Sequence, residues 1–182
     1  DFGVSIGYFT PDLQAAGITR KDRVPKFVEA LEIIKLMWTQ DTVSYHGKYF
    51  NFDDLPASVK PYQKPYPPII VSTQAHGSAA RAGRLADGIC VAPAVDHNDL
   101  KALADTFRQA YYETHGRQPT YVGARRDFFV GPTPKEAALQ AGRREEYLQF
   151  SSSHRYISGE MQESTMVHLH LEAVKDQVPG NA

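Results

Sequence analysis

Pro67-Pro68-Ile69-Ile70-Val71-Ser72-Thr73-Gln74-Ala75-His76-Gly77-Ser78 decides the fold of this chain. The two prolines set an edge. Ile69 to Val71 is short, apolar and β-branched, as in a strand buried on both faces of a parallel sheet. Ser72 to Gly77 is a polar turn. Ser78 stands at the N-cap position of a predicted helix carrying Ala79, Ala80, Ala82 and Leu85. Asp87-Gly88 ends that helix, and Ile89-Cys90-Val91-Ala92 starts another strand. Strand, loop, helix and strand within about 25 residues make a parallel crossover.

The loop has its own chemistry. A turn at the C-terminal end of a strand that opens a helix with Gly-Ser turns free N–H groups and a hydroxyl toward one spot, which suits a phosphate. Gly77 permits close backbone approach. The same residues also make an ordinary helix cap, and local sequence leaves both readings open.

The chain has 182 residues, 42% hydrophobic and 23% charged, with a formal net charge of -1. This is the composition of an ordinary globular protein with one core. The balanced charge argues against a nucleic-acid or anionic-membrane surface. A single cysteine, Cys90, precludes an internal disulfide framework, and its apolar setting predicts a buried structural thiol. No apolar run approaches the roughly 18 residues of a membrane span, and no signal peptide is visible, so the expectation is a cytoplasmic protein. Asp1-Phe2-Gly3 opens directly on a strand-like run, and Val178-Pro179-Gly180 follows a helical pattern. Both ends read as interior sequence, as in a piece of a longer chain.

Outward from the central stretch, Phe2 to Ile6 is a predicted strand. Thr10-Pro11 caps a short helix that Gly17 ends. Asp22 opens a helix whose Val24, Phe27, Val28, Leu31, Ile34 and Trp38 recur at helical spacing. Arg23 in its first turn opposes the helix dipole, which calls for an anionic partner. Thr42 to Phe52 reads as a hairpin around His46-Gly47, and Asp53 to Pro68, with five prolines, as a loop. A helix follows over Asp96 to Tyr112, a strand over Tyr121 to Val130, a helix over Lys135 to Phe150 and another over Met161 to Val174. Four parallel strands alternating with helices give a parallel α/β fold and half the strand count of an eight-stranded barrel.

Several segments, in order, resemble the bacterial-luciferase-like flavin monooxygenases. They are Gly3-Val4-Ser5-Ile6-Gly7-Tyr8, then Asp12, Gly17 and Arg23, then Glu29-Ala30-Leu31-Glu32-Ile33-Ile34 with Met37-Trp38. The run His46-Gly47-Lys48-Tyr49-Phe50 is similar to that family's hairpin. Lys60-Pro61 and Pro67-Pro68-Ile69 resemble its proline-flanked strand, and Gly77-Ser78-Ala79-Ala80 with Ala86-Asp87-Gly88 its phosphate-loop helix. The resemblance covers residues 2 to about 137. It implies one partial TIM (β/α)8 barrel domain over 1–182, about strands four to seven with a β-hairpin insertion. It also implies reduced FMN, or in one branch a deazaflavin, together with O₂ and a small organic substrate, a flavin reductase and a homodimer.

By position, the resemblance maps the cofactor's phosphate site onto Gln74, Ala75, His76, Gly77 and Ser78, with Arg23 as the cationic partner. Ile6 stands where several relatives carry an arginine, and Ala75 where the luciferases carry a serine. These departures motivate an alternative, a non-catalytic flavin-binding relative. A generic sugar-phosphate barrel enzyme is a further reading, without the catalytic Lys or Glu at strand ends that it requires. The candidates for acid–base work are His76, His154 and Tyr8. His46 reads as a solvated turn residue. His168 and His170 lack the further converging ligands that a metal needs, so no metal site is expected. Of Arg125-Arg126, one is expected to face the barrel mouth and the other solvent.

Overall fold

The computed structural model describes residues 1–7, 9–93, 95, 97–126 and 128–143. Strand β1 (Phe2–Val4), β4 (Ile69–Thr73), β5 (Gly88–Val91) and β6 (Tyr121–Ala124) form one parallel sheet in the order β1-β4-β5-β6. Between β1 and β4 lie helices α1 (Thr10–Ala15) and α2 (Arg23–Thr39) and an antiparallel hairpin of β2 (Thr42–His46) and β3 (Asn51–Pro56). Helix α3 (His76–Leu85) joins β4 to β5, and α4 (His97–His115) joins β5 to β6. A further helix runs over 134–143. The parallel strands are neighbours in chain order with no reversal. That order belongs to a barrel wall and not to a doubly wound sheet, whose order reverses at a switch point.

Alternation along the strands separates two faces. Ile69, Val71, Ile89 and Val91 are buried against the helices, with Phe2, Val4 and Val122 packed on the same cluster. Gly3, Ile70, Gly88 and Tyr121 share one rung of the other face, the barrel's inner face. A Cβ on Gly88 would lie 2.8 Å from Tyr121 Cβ and 2.9 Å from Ile70 Cδ1, so glycine there makes room for its large neighbours. The helical layer carries the larger core. Leu103, Phe107 and Tyr111 of α4 are fully buried, each contributing roughly 1.5–3 kcal/mol of transfer free energy. Gly83 lets α3 sit close on α4, since a Cβ there would meet Phe107 O at 2.8 Å and Ala110 Cβ at 2.7 Å. On the same side of the sheet, Trp38 of α2 joins this cluster and meets Phe2 edge-on, with ring centroids 5.2 Å apart.

The hairpin is held by α2. The Glu29 carboxylate accepts backbone N–H bonds from Lys48 and Tyr49, both at 2.9 Å, and from Phe50 at 3.2 Å. A side chain at Gly47 would collide with that carboxylate. No helix among the described residues is long and apolar enough to cross a membrane.

The structure corrects several boundaries. Helix α3 begins at His76 with Ala75 as its extended N-cap residue, so Ser78 lies in the first turn and is not the cap. Strand β6 stops at Ala124 and not Val130, because Arg126 leaves the sheet to bond carbonyls beyond β5. Strand β1 ends at Val4 and not Ile6. Residues 53–56, expected in the loop, belong to β3, and the turn spans 47–50. Helix α1 starts at Thr10 with Phe9 as its N-cap residue. Cys90 is half-buried, not buried, because its parity places it on the inner face.

Candidate functional site

In a parallel sheet every strand ends at the same rim, and ligands bind at the C-terminal one. Here that rim is made by the residues after Val4, Thr73, Val91 and Ala124. The β4–α3 turn is a stretch of it that opens a helix. Ser78 N and Ala79 N donate to Ala75 O, at 3.0 and 2.9 Å. The N–H groups of His76 and Gly77 have no partner among the described residues. They are two of the orphan donors that every helix start leaves. Open space surrounds the position where a Gly77 Cβ would stand.

The hydroxyls here are engaged internally. Ser78 Oγ donates to Ala75 O at 2.7 Å and pairs with the hydroxyl of buried Thr73. Gln74 and Ala75 are exposed. His76 turns toward α4, with Nδ1 2.8 Å from Thr106 Oγ1. Thr106 spends its own proton on Ala102 O, at 2.9 Å. His76 is therefore the donor from Nδ1, and its Nε2 is the nitrogen left free.

Arg23 sits where the sequence placed it, on the first turn of α2, and reaches across to the β1 end. Its Nη1 donates to Gly7 O at 2.8 Å, while its Nε is buried without a partner. The expected anionic partner is no side chain among the described residues; a carbonyl oxygen partly fills that place. Arg81, one turn into α3, has its pKa lowered by burial first and then by the positive charges of Arg84 and Arg23. Arg23 and Arg81 are thus close enough for their positive charges to act on each other. Arg81 and Thr106 were not singled out from sequence. Their roles depend on contacts with residues many positions away, and no local pattern marks them.

Tyr8 and His154 lie outside the described residues, as do His168, His170 and the predicted helix over Met161 to Val174. Among the described residues no group of three or more His, Cys, Asp or Glu is placed to hold a metal ion. His46 lies on the hairpin, 3.0 Å from Asp53, with both side chains exposed.

Comparison with known proteins places this geometry. The model of the family described as luciferase-like monooxygenase matches residues 1–178. An F420-dependent hydroxymycolic acid dehydrogenase from Mycobacterium tuberculosis is 36% identical over 123 residues, which are 66% of this chain and 32% of that protein. An FMNH(2)-dependent dimethylsulfone monooxygenase from Pseudomonas putida is 30% identical over 84 residues, 44% of this chain and 23% of that protein. Among solved structures, the monooxygenase RslO1 from Streptomyces bottropensis superposes with a TM-score of 0.76 at 19% identity, covering 97% of this chain and 56% of that one. At that identity the likeness concerns the fold alone. The chain thus spans about a third or less of these curated relatives and about half of that structure.

Proposed function

The chain belongs to the luciferase-like monooxygenase family, a family of oxidoreductases, and on that premise we propose that it supplies the phosphate-holding wall of a barrel that works with a flavin-type cofactor. The reading we favour is a deazaflavin, F420, with hydride transfer on a small organic substrate. The alignment at 36% identity over 123 residues to a protein named as F420-dependent supports it. The second reading is a monooxygenase using reduced FMN and O₂, supplied by a flavin reductase and working as a homodimer. The alignment to the FMNH(2)-dependent monooxygenase supports that one.

The residues present fit a phosphate group. The unpaired N–H groups of His76 and Gly77 are its donors, and the bare Cα of Gly77 allows it to approach. Arg23 brings charge and the unspent Nε. Gln74 stands exposed beside the turn, and Ser78 joins by turning its hydroxyl away from Ala75 O. Bound F420 would supply the hydride acceptor or donor, and reduced FMN the reaction with O₂. The free Nε2 of His76 is a candidate proton acceptor next to the phosphate, held in one tautomer by Thr106.

The test is a titration of the full-length protein with F420 and with FMN, followed by cofactor fluorescence, beside Gly77→Ala. Gly77 has an ordinary backbone conformation, so alanine there folds without strain and adds helix propensity. Micromolar F420 binding that falls about tenfold in Gly77→Ala, with stability kept, is the expected result. Tight FMN binding without F420 binding selects the second reading. A folded protein that binds neither overturns both.

A further inference from the structure

We propose that Arg125 is the oxyanion-binding residue of the barrel mouth and recognises a carboxylate or sulfonate group; the proposal rests on the cofactor reading above. The strand ladder fixes where Arg125 points. Arg125 N donates to Val91 O at 2.9 Å, so the backbone keeps sheet register one residue beyond β6. Its parity is that of Tyr121 and Gly123, the inner face, while Val122 packs on the helical cluster. Arg126, of opposite parity, is engaged by backbone carbonyls on the other side. Its guanidinium donates to Arg125 O at 2.9 Å, Val95 O at 3.2 Å and Ala92 O at 3.4 Å, lacing the β5–α4 connection to the end of β6.

The two adjacent arginines therefore have different tasks. Arg126 is spent on carbonyls. Arg125 is exposed and has no side-chain partner among the described residues. One rung below it lie Ser72, Cys90 and Gly123, and the Tyr121 phenol lies over Gly123, its Oη 2.8 Å from where a Cβ there would stand. Barrel interiors ordinarily fill with bulky branched side chains. Ser72 and Cys90 are smaller than that, and the exposed guanidinium above them carries a charge that no described residue matches. Its planar fork fits two oxygens of one carboxylate or sulfonate. That group can belong to the substrate or to an acidic part of the cofactor.

The experiment uses the full-length protein with acetate and methanesulfonate as probes and acetamide as the uncharged control. Binding is read by thermal shift in low-chloride buffer, with and without cofactor, for wild type, Arg125→Ala and Arg125→Lys. The expected result is saturable binding of the anions and not of acetamide. Binding is weaker by about tenfold or more in Arg125→Ala and intermediate in Arg125→Lys, which keeps the charge and loses the fork. If cofactor-loaded protein still binds acetate and Arg125→Ala leaves cofactor affinity unchanged, the oxyanion is the substrate's. If the cofactor excludes acetate and Arg125→Ala weakens the cofactor, it is the cofactor's. Absence of anion binding in wild type, or anion binding equal in Arg125→Ala, overturns the proposal. The anion arm without cofactor remains readable where no cofactor binds, so failure of the cofactor reading shows separately.

Discussion

The two ends of the parallel sheet treat their polar groups in opposite ways. At the N-terminal end they are closed off. Asp87 Oδ2 accepts the N–H of Ile69 at 2.9 Å, and Asp87 N donates to Ile69 O at 2.9 Å. Phe2 N donates to Pro68 O at 2.8 Å. Lys35 covers the last carbonyl of α3, Leu85 O, and Lys60 covers Met37 O and Gln40 O at the end of α2. At the C-terminal end, the N–H groups of His76 and Gly77, the Nε of Arg23 and the guanidinium of Arg125 have no partner among the described residues. The Arg23 Nε is buried, and a buried donor without a partner costs free energy unless a ligand repays it; the other donors are exposed and open to a ligand. One end of the sheet therefore holds the fold together and the other is prepared to bind. Substitutions at the first end should cost stability and spare binding, and those at the second the reverse.

The largest effect is expected at Asp87. Asp87→Ala strands the N–H of Ile69, a residue with no exposed surface, and should lower unfolding free energy by about 1–3 kcal/mol in urea titrations. Asp87→Asn keeps a carbonyl oxygen there and should recover much of the loss. Cofactor affinity should stay within about twofold for both, since the site lies at the other rim. A variant of normal stability with impaired binding would break the division.

The strand and helix plan was legible in the sequence because it rests on local composition. Ile69 to Val71 is a β-branched run and Ile89 to Val91 an apolar one, both suited to a buried strand. Helix α2 announced itself by its apolar spacing, and the structure ends it at Thr39, one residue from the expected end. The misreadings share a cause. Gly77-Ser78 looks like a cap by composition, yet Ser78's hydroxyl folds back on Ala75 O and Thr73, and the helix begins three residues earlier. Phe128 and Val130 look like strand residues, yet the strand stops where Arg126 finds carbonyls some 30 positions away, and both side chains are exposed. The clasp of Glu29 on the hairpin, the His76–Thr106 bond and the inward parity of Arg125 are likewise long-range. Sequence names such residues as candidates and cannot say which contact claims them.

The next effect is smaller and sharpens the comparison at the closed end. Lys35 has its pKa lowered, by burial first, with Asp87 and Glu32 acting against that. A lysine whose folded pKa lies below its unfolded value binds more protons unfolded, so its destabilising cost is full at neutral pH and fades as pH rises toward the ordinary lysine value of about 10.4. Wild type should therefore gain stability relative to Lys35→Met as pH is raised from 7 to 10, in paired urea titrations. A pH-independent difference would mean that Lys35 acts only by covering Leu85 O and the end of α3.

The smallest effect belongs to Asp22, at the open end, where α2 starts and the hairpin touches it. Thr19 Oγ1 donates to Asp22 Oδ2 at 2.5 Å and Tyr49 Oη donates to Oδ1 at 2.7 Å, and these two bonds, in that order, hold the carboxyl pKa below its ordinary value. A depressed carboxylate pKa gives stability that is present above the unfolded value, near 3.9, and is lost as pH falls through the folded one. Asp22→Asn should flatten the acid limb of the stability profile below about pH 4 while leaving the profile near neutrality almost unchanged, because the group is solvent-exposed and screened. Arg23 follows Asp22 directly, so cofactor affinity is the sharper readout. If Asp22→Asn weakens the cofactor while the acid limb keeps its shape, Asp22 orients Arg23 for binding, and the bonds to Thr19 and Tyr49 then serve the open rim more than the fold.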